Sequence, residues 1–187
     1  MTSSFDLFTE GPLPSAARFS TQSYFQRLGL EPAFDVDLGS LERAFLERSR
    51  RVHPDFHSGA GPRERIKAVG LSAAINEAYR ALKDPVLRAE YLLEQLGGAS
   101  SSDDKRTPAG FLIEVMELRE RLEDALTGDD TASLTELVAE LRPKRRETLD
   151  RVSEELRCAE PRLGLVRERL NCLKYYDNAI GEATSAL

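Results

Sequence analysis

Between its glycines and prolines, the chain spaces its apolar residues for helices throughout. Leu71, Ile75, Ala78 and Leu82 follow a 4-3-4 rhythm, and Phe111, Val115, Leu118, Leu122 and Leu126 keep to the same three- and four-residue steps. Leu163, Val166, Leu170, Leu173 and Ile180 mark a third such stripe. The alternating β-branched runs that a strand requires do not occur. An all-α fold is expected, in which each stripe is hidden against another helix.

The punctuation places the boundaries. After a polar, proline-containing tail over residues 1–21, "YFQRLGL" makes a short helix ended near Gly29. "DLGSLERAFLERSRRV" follows, with Asp37 or Ser40 as its cap, Leu41, Phe45 and Val52 on one face and Pro54 as its stop. A long helix then runs over 63–83, and Asp84-Pro85 caps and opens the next, which ends at Gly97-Gly98. "GGASSSDDKR" has neither periodicity nor apolar surface and reads as a linker over 99–106. Beyond it, Thr107-Pro108 opens a helix through Leu126. Thr131 opens another to about Cys158, which Pro143 should kink or break, and the last begins after Pro161. The expected organisation is a tail, a domain over 22–98, the linker, and a three-helix domain over 107–187.

The chain has 187 residues, 41% of them hydrophobic and 31% charged, which is enough to bury a core. A net charge of −6 argues against general binding to nucleic acid or membrane surfaces, both of which reward excess positive charge. Residues 1–98 carry 12 basic and 13 acidic side chains, residues 99–187 carry 14 and 19, so the acidity sits in the second half. The basic run Arg142 to Glu147, set in that acidic half and interrupted by proline, is expected to be a solvated helix face. No run approaches the roughly 18 apolar residues of a membrane span, and the first residues lack a basic-then-apolar signal, so a cytoplasmic location is expected. Cys158 and Cys172 are expected to be free, buried thiols, and without CxxC spacing they cannot build a zinc site.

Both histidines fall in "RRVHPDFHSG", at the end of a helix. An extended backbone would turn His53, Asp55 and His57 to one side, a face that could hold iron or a similar ion, although the following "SGAGP" offers no rigid bracing. A polar helix-to-helix turn built on Pro54 and Asp55 is the plainer alternative. Nothing resembles a nucleophile elbow, a Cys-His pair or a glycine-rich phosphate loop, so no enzymatic activity and no cofactor are expected.

The tripeptide has company. It follows a helix bearing Arg43, Arg50 and Arg51, precedes a glycine-rich loop, and is followed by a helix ending "INEAYRALKDP". That ordered set resembles a J domain, the DnaJ-type module that stimulates ATP hydrolysis by DnaK-class chaperones. The resemblance implies that helices 38–52 and 63–83 form an antiparallel hairpin and that His53, Pro54 and Asp55, flanked by the three arginines, meet the chaperone. Pro54 would bias His53 toward an extended conformation and lower the entropy lost on docking. Phe56 stands where many J domains have a basic residue. Arg48 takes a position that is usually apolar, where it is expected to bury its stem and keep its guanidinium wet.

Beyond this module the chain lacks the Gly/Phe-rich and cysteine-rich regions of a general DnaJ protein. "DPVLRAEYLL", "FLIEVMELRERL" and "LKYYDN" instead resemble the HscB family, J-type co-chaperones of iron–sulfur cluster assembly, in which a C-terminal three-helix bundle binds the IscU scaffold and delivers it to the chaperone HscA. At about 100° per residue, Leu112, Ile113 and Met116 lie away from the Phe111–Leu126 stripe, beside Glu117 and Glu120, and Tyr175 lies opposite the stripe of the last helix. Surplus apolar groups of this kind mark a partner surface. The alternative is that Leu112 or Ile113 seals a seam with the helix over 86–96. The resemblance assigns scaffold binding to Leu112, Ile113, Met116, Glu117, Glu120 and Tyr175. Other readings are a J protein with a different client, or a metal-dependent enzyme using His53, Asp55 and His57.

Overall fold

The computed structural model describes residues 19–53, 59 and 61–187. Seven helices are delimited within them: α1 (Tyr24–Leu28), α2 (Leu38–Val52), α3 (Pro62–Lys83), α4 (Pro85–Gln95), α5 (Phe111–Thr127), α6 (Thr131–Leu156) and α7 (Leu163–Ser185). No strand occurs among the described residues, and the fold is all-α as the spacing requires. The helices gather into two compact units that divide between Arg88 and Ala89, within α4.

In the first unit each helix starts where local hydrogen bonding allows. Ser23 and Gln26 form a reciprocal capping box on α1, with bonds of 3.2 and 2.9 Å, and Gly29 ends the helix in the left-handed region at φ 64°. Asp37 caps α2, accepting from the Ser40 amide at 2.8 Å and from its hydroxyl at 2.6 Å. Pro62 opens α3, whose stripe of Leu71, Ile75, Ala78 and Leu82 is fully buried. The α2–α3 hairpin closes over that stripe with Leu41 and Val52, and Phe45 stacks on Tyr79 with ring centroids 4.1 Å apart. α1 adds Phe25 and Leu28.

Arg48 departs from expectation. The residue is only 5% exposed, so the guanidinium is buried with its stem rather than left wet, and it lies under Gly29 so closely that a β-carbon there would collide with Nη2. The short α1 and its glycine cap form a lid over the position, which the sequence of α2 alone cannot reveal.

Asp84 caps α4 as expected, its Oδ1 accepting from the amides of Val86 and Leu87 at 2.8 and 2.9 Å. In the second unit, α5, α6 and α7 form a three-helix bundle around Phe111, Val115, Leu118, Leu122, Leu134, Leu137, Leu141 and Tyr176. Helix α5 begins at Phe111 rather than at Pro108, because Gly110 at φ 82° turns the chain just before it. Pro143 does not break α6. Pro143 and Ala139, whose carbonyl loses its donor, are both exposed, so water can satisfy that oxygen.

Residues 99–106 are held in place. Ser100 Oγ donates to Asp103 at 2.6 Å, Asp104 pairs with Arg106 at 2.6 Å, and Asn171 Nδ2 on α7 donates to the carbonyls of Asp104 and Arg106 at 3.0 and 2.8 Å. Polar residues that offer no core surface are here secured by hydrogen bonds instead. Of the two cysteines, Cys172 is buried as expected but Cys158 is exposed, since α6 ends at Leu156 and the chain turns outward.

Candidate functional site

Two surfaces carry the residues singled out by sequence. On the first unit, His53 is the C-cap of α2, exposed and extended at φ −61° and ψ 128°. This is the conformation that a following proline favours. Pro54, Asp55, Phe56 and His57 lie outside the described residues. Arg50 and Arg51 occupy the last turn of α2, where positive charge meets the carbonyl end of the helix. Arg50 is exposed and Arg51 half-buried. Arg43 lies on the same face as Arg50 two turns earlier, about 15 Å from His53 at 1.5 Å per residue. It donates to Ser40 Oγ at 2.8 Å and stands 3.8 Å from Asp37, whose carboxyl is held below its ordinary value first by the Ser40 hydroxyl. Arg50 and Arg51 thus flank His53 directly, and Arg43 extends the basic stripe. Among the described residues no three His, Cys, Asp or Glu side chains converge as a metal site would need.

On the second unit, α5 turns one side inward and the opposite side out. Phe111, Val115, Leu118, Leu122 and Ala125 are buried, whereas Leu112, Ile113 and Met116 are 57%, 64% and 71% exposed. Leu112, Ile113, Met116, Glu117 and Glu120 fall within a sector of about 140° at 100° per residue. Leu112 and Ile113 are left uncovered by α6 and α7 of their own bundle. Ile113, Met116, Glu117 and Glu120 line a shallow hollow with Arg119, Glu123 and Asp124.

Tyr175 joins this surface from α7. It is 38% exposed, and its ring meets Phe111 edge-on at 5.7 Å. Its neighbour Tyr176 meets the same ring from within the core at 5.6 Å and donates to Glu114 at 3.4 Å. Burial, then the Glu114 charge, pushes the Tyr176 hydroxyl up to about 12. Tyr176 thus anchors the first turn of α5 from within the core, while Tyr175 packs on the outer edge of the same ring and stays open to solvent.

Sequence reasoning missed the ionic frame behind this display. Lys144 Nζ binds Glu114 at 2.9 Å and Glu140 at 3.1 Å, Arg121 binds Glu140 at 2.9 Å, and Arg145 pairs with Asp177. Hydrogen bonds from Arg121 and then Lys144 hold the Glu140 carboxyl below its ordinary value. The basic run of α6 is therefore only partly a solvated face, since Lys144 and Arg145 tie α6 to α5 and α7. Their partners lie some 30 residues away, where no local pattern points to them.

The face as a whole is four large apolar or aromatic groups rimmed by carboxylates on a braced helix. It can hold a protein segment by burial and select it by charge. No helix among the described residues is long and apolar enough to cross a membrane.

Residues 107–183 match the family model described as the HSCB C-terminal oligomerisation domain. The co-chaperone protein HscB homolog of Bordetella petrii is 43% identical over 141 residues, covering 73% of this chain and 81% of that protein. Its counterpart in Vibrio vulnificus strain YJ016 is 38% identical over 141 residues, with coverage of 74% and 82%. Among solved structures, the chaperone HscB from Vibrio cholerae superposes with a TM-score of 0.75 at 32% identity, covering 88% of this chain and 96% of that one. Human co-chaperone protein HscB superposes with a TM-score of 0.80 at 27% identity, covering 88% and 82%. With four-fifths of a curated relative matched at this identity, and the all-helical fold shared with the solved structures, the chain belongs to the HscB family of co-chaperones.

Proposed function

We propose that the chain is a non-enzymatic, cytoplasmic co-chaperone of iron–sulfur cluster assembly. Its N-terminal unit acts as a J domain that stimulates the ATPase of an HscA/DnaK-class chaperone, and its C-terminal bundle binds an IscU-type scaffold and brings it to that chaperone. The cluster is cargo carried by the scaffold. The observation that carries the reading is the outward display of Leu112, Ile113 and Met116 beside Tyr175 on a helix whose opposite side already fills the bundle core. Apolar area left open on a fully packed element is available to a partner.

The two contacts differ in kind. Chaperone contact rests on His53, Pro54 and Asp55 with the stripe of Arg43, Arg50 and Arg51, a polar and charged surface that speeds encounter and releases readily. Scaffold contact rests on Leu112, Ile113, Met116 and Tyr175, with Glu117 and Glu120 setting specificity at the rim. An ATPase assay with HscA tests both at once. This protein and IscU, added together, should stimulate hydrolysis more than the sum of their separate effects; a merely additive response would overturn the delivery role.

A further inference from the structure

We propose that the hollow beside Tyr175 is an anion-accepting subsite, which takes an acidic side chain of the protein segment docked across α5 and so fixes the direction in which that segment lies. The inference rests on the docking role given above to Leu112, Ile113 and Met116. Ser101, Lys105, Asn171, Lys174, Tyr175 and Asn178 line this hollow.

The subsite is assembled by Asn171. That side chain is buried, its Oδ1 accepts from Arg167 Nε at 3.0 Å, and its Nδ2 donates to the carbonyls of Asp104 and Arg106, the two residues that flank Lys105. The grip holds the 104–106 backbone against α7 and brings Lys105 to the same hollow as Lys174. Neighbouring cations are already neutralised, Arg106 by Asp104 at 2.6 Å and Arg167 by Glu90 at 2.6 Å. Among the described residues no carboxylate is within ion-pairing distance of either lysine. With two lysines lining it and no carboxylate among the described residues paired to either, the hollow carries net positive charge that attracts an incoming carboxylate, to which the Asn178 amide and Tyr175 hydroxyl can also donate.

The hollow continues into the apolar face. Tyr175 lines it and also touches Phe111, the residue before Leu112. The second hollow begins at Ile113 and Met116 and runs toward Asp124, about 20 Å along α5 at 1.5 Å per residue, where Glu117, Glu120, Glu123 and Asp124 line it and Arg119 is its one cation among the described residues. The docking surface is therefore basic at the Tyr175 end, apolar in the middle and acidic at the Asp124 end. A segment with the order acidic, apolar, basic satisfies it in one direction, and the reverse direction sets like charges against each other.

The test titrates purified IscU-type scaffold into the full chain and into its Lys105→Glu/Lys174→Glu variant, by calorimetry at low and at high salt. Both lysines are exposed, so the melting temperature should not change, and Lys105→Gln/Lys174→Gln provides a milder version of the same test. Charge reversal is expected to weaken binding about tenfold at low salt, with the difference collapsing at high salt, as for rim charges that steer association. The Glu123→Lys/Asp124→Lys variant should also bind more weakly. An unchanged Kd and salt dependence for the lysine variant would overturn the subsite and leave the docking face standing. Tighter binding by the Glu123/Asp124 variant would overturn the assigned direction. No binding by the unaltered chain would overturn the docking role itself, and this inference with it.

Discussion

Arg167 and Glu90 form a two-pronged ion pair inside the second unit. The Arg167 side chain is fully buried on α7, and its Nη2 lies 2.6 Å from Glu90 Oε1 on α4, while Nη1 holds the other carboxylate oxygen and Nε donates to Asn171. Each nitrogen of the guanidinium thus has an acceptor, which is the condition under which a buried charge is tolerated. Removing one partner strands the other. Glu90→Ala should lower stability by about 3 kcal/mol in urea denaturation, and Arg167→Met combined with Glu90→Leu should lose less than the single change, because no charge is then left buried.

Leu112 and Tyr175 contribute little to the core and are expected to act in binding. Leu112→Ala and Tyr175→Ala should each weaken scaffold binding by upwards of about 2 kcal/mol, read by calorimetry, with little change in melting temperature. Leu118→Ala, in the buried stripe of the same helix, should do the reverse and lower stability by about 2–5 kcal/mol.

His53 caps α2 without filling any core. The His53→Gln variant should lose stimulation of the chaperone ATPase while its far-UV circular dichroism matches the unaltered protein. Full stimulation by that variant would remove the chaperone-contact role from this end of α2.

The second unit should weaken in acid. Glu155, at the end of α6, accepts from the side chain of Arg162 at 2.7 and 2.9 Å and from its amide at 2.9 Å, which holds the carboxyl at about 2 against an ordinary 4.5. Asp104 is likewise held at about 2 by the side chain and amide of Arg106. A carboxyl depressed on folding stabilises fully above its unfolded pKa, and the contribution is lost as pH falls through the folded value. Melting temperature should therefore decline between roughly pH 4.5 and 2. Glu155→Gln should melt lower at neutral pH and show a shallower acid decline.

The two thiols should react on different timescales. Cys158 is exposed, whereas burial pushes the Cys172 thiol up to about 11. A disulfide reagent at neutral pH should modify one thiol per native chain quickly and the second only after denaturation.

Helix order and the α5 face were legible because both depend on local periodicity. The Leu71–Leu82 stripe and the outward angle of Leu112, Ile113 and Met116 follow from 100° per residue, and Asp37 and Asp84 announce the helices they cap. Polar residues in buried positions were not legible. Arg167 and Asn171 occupy inward positions of α7 because Glu90 and the 104–106 backbone, more than 60 residues away in the chain, satisfy them. Periodicity cannot register a partner at such separation. The same holds for Lys144 and Arg145, whose run reads as surface until α5 and α7 supply Glu114 and Asp177.

The seating of Arg48 beneath the left-handed Gly29 links a position within α2 to the cap that ends α1. Any larger residue at 29 must both adopt an unfavourable backbone conformation and push the Arg48 guanidinium from its seat. Relatives that fill position 29 should therefore carry a shorter side chain at 48, so these two sites are expected to co-vary as one steric unit.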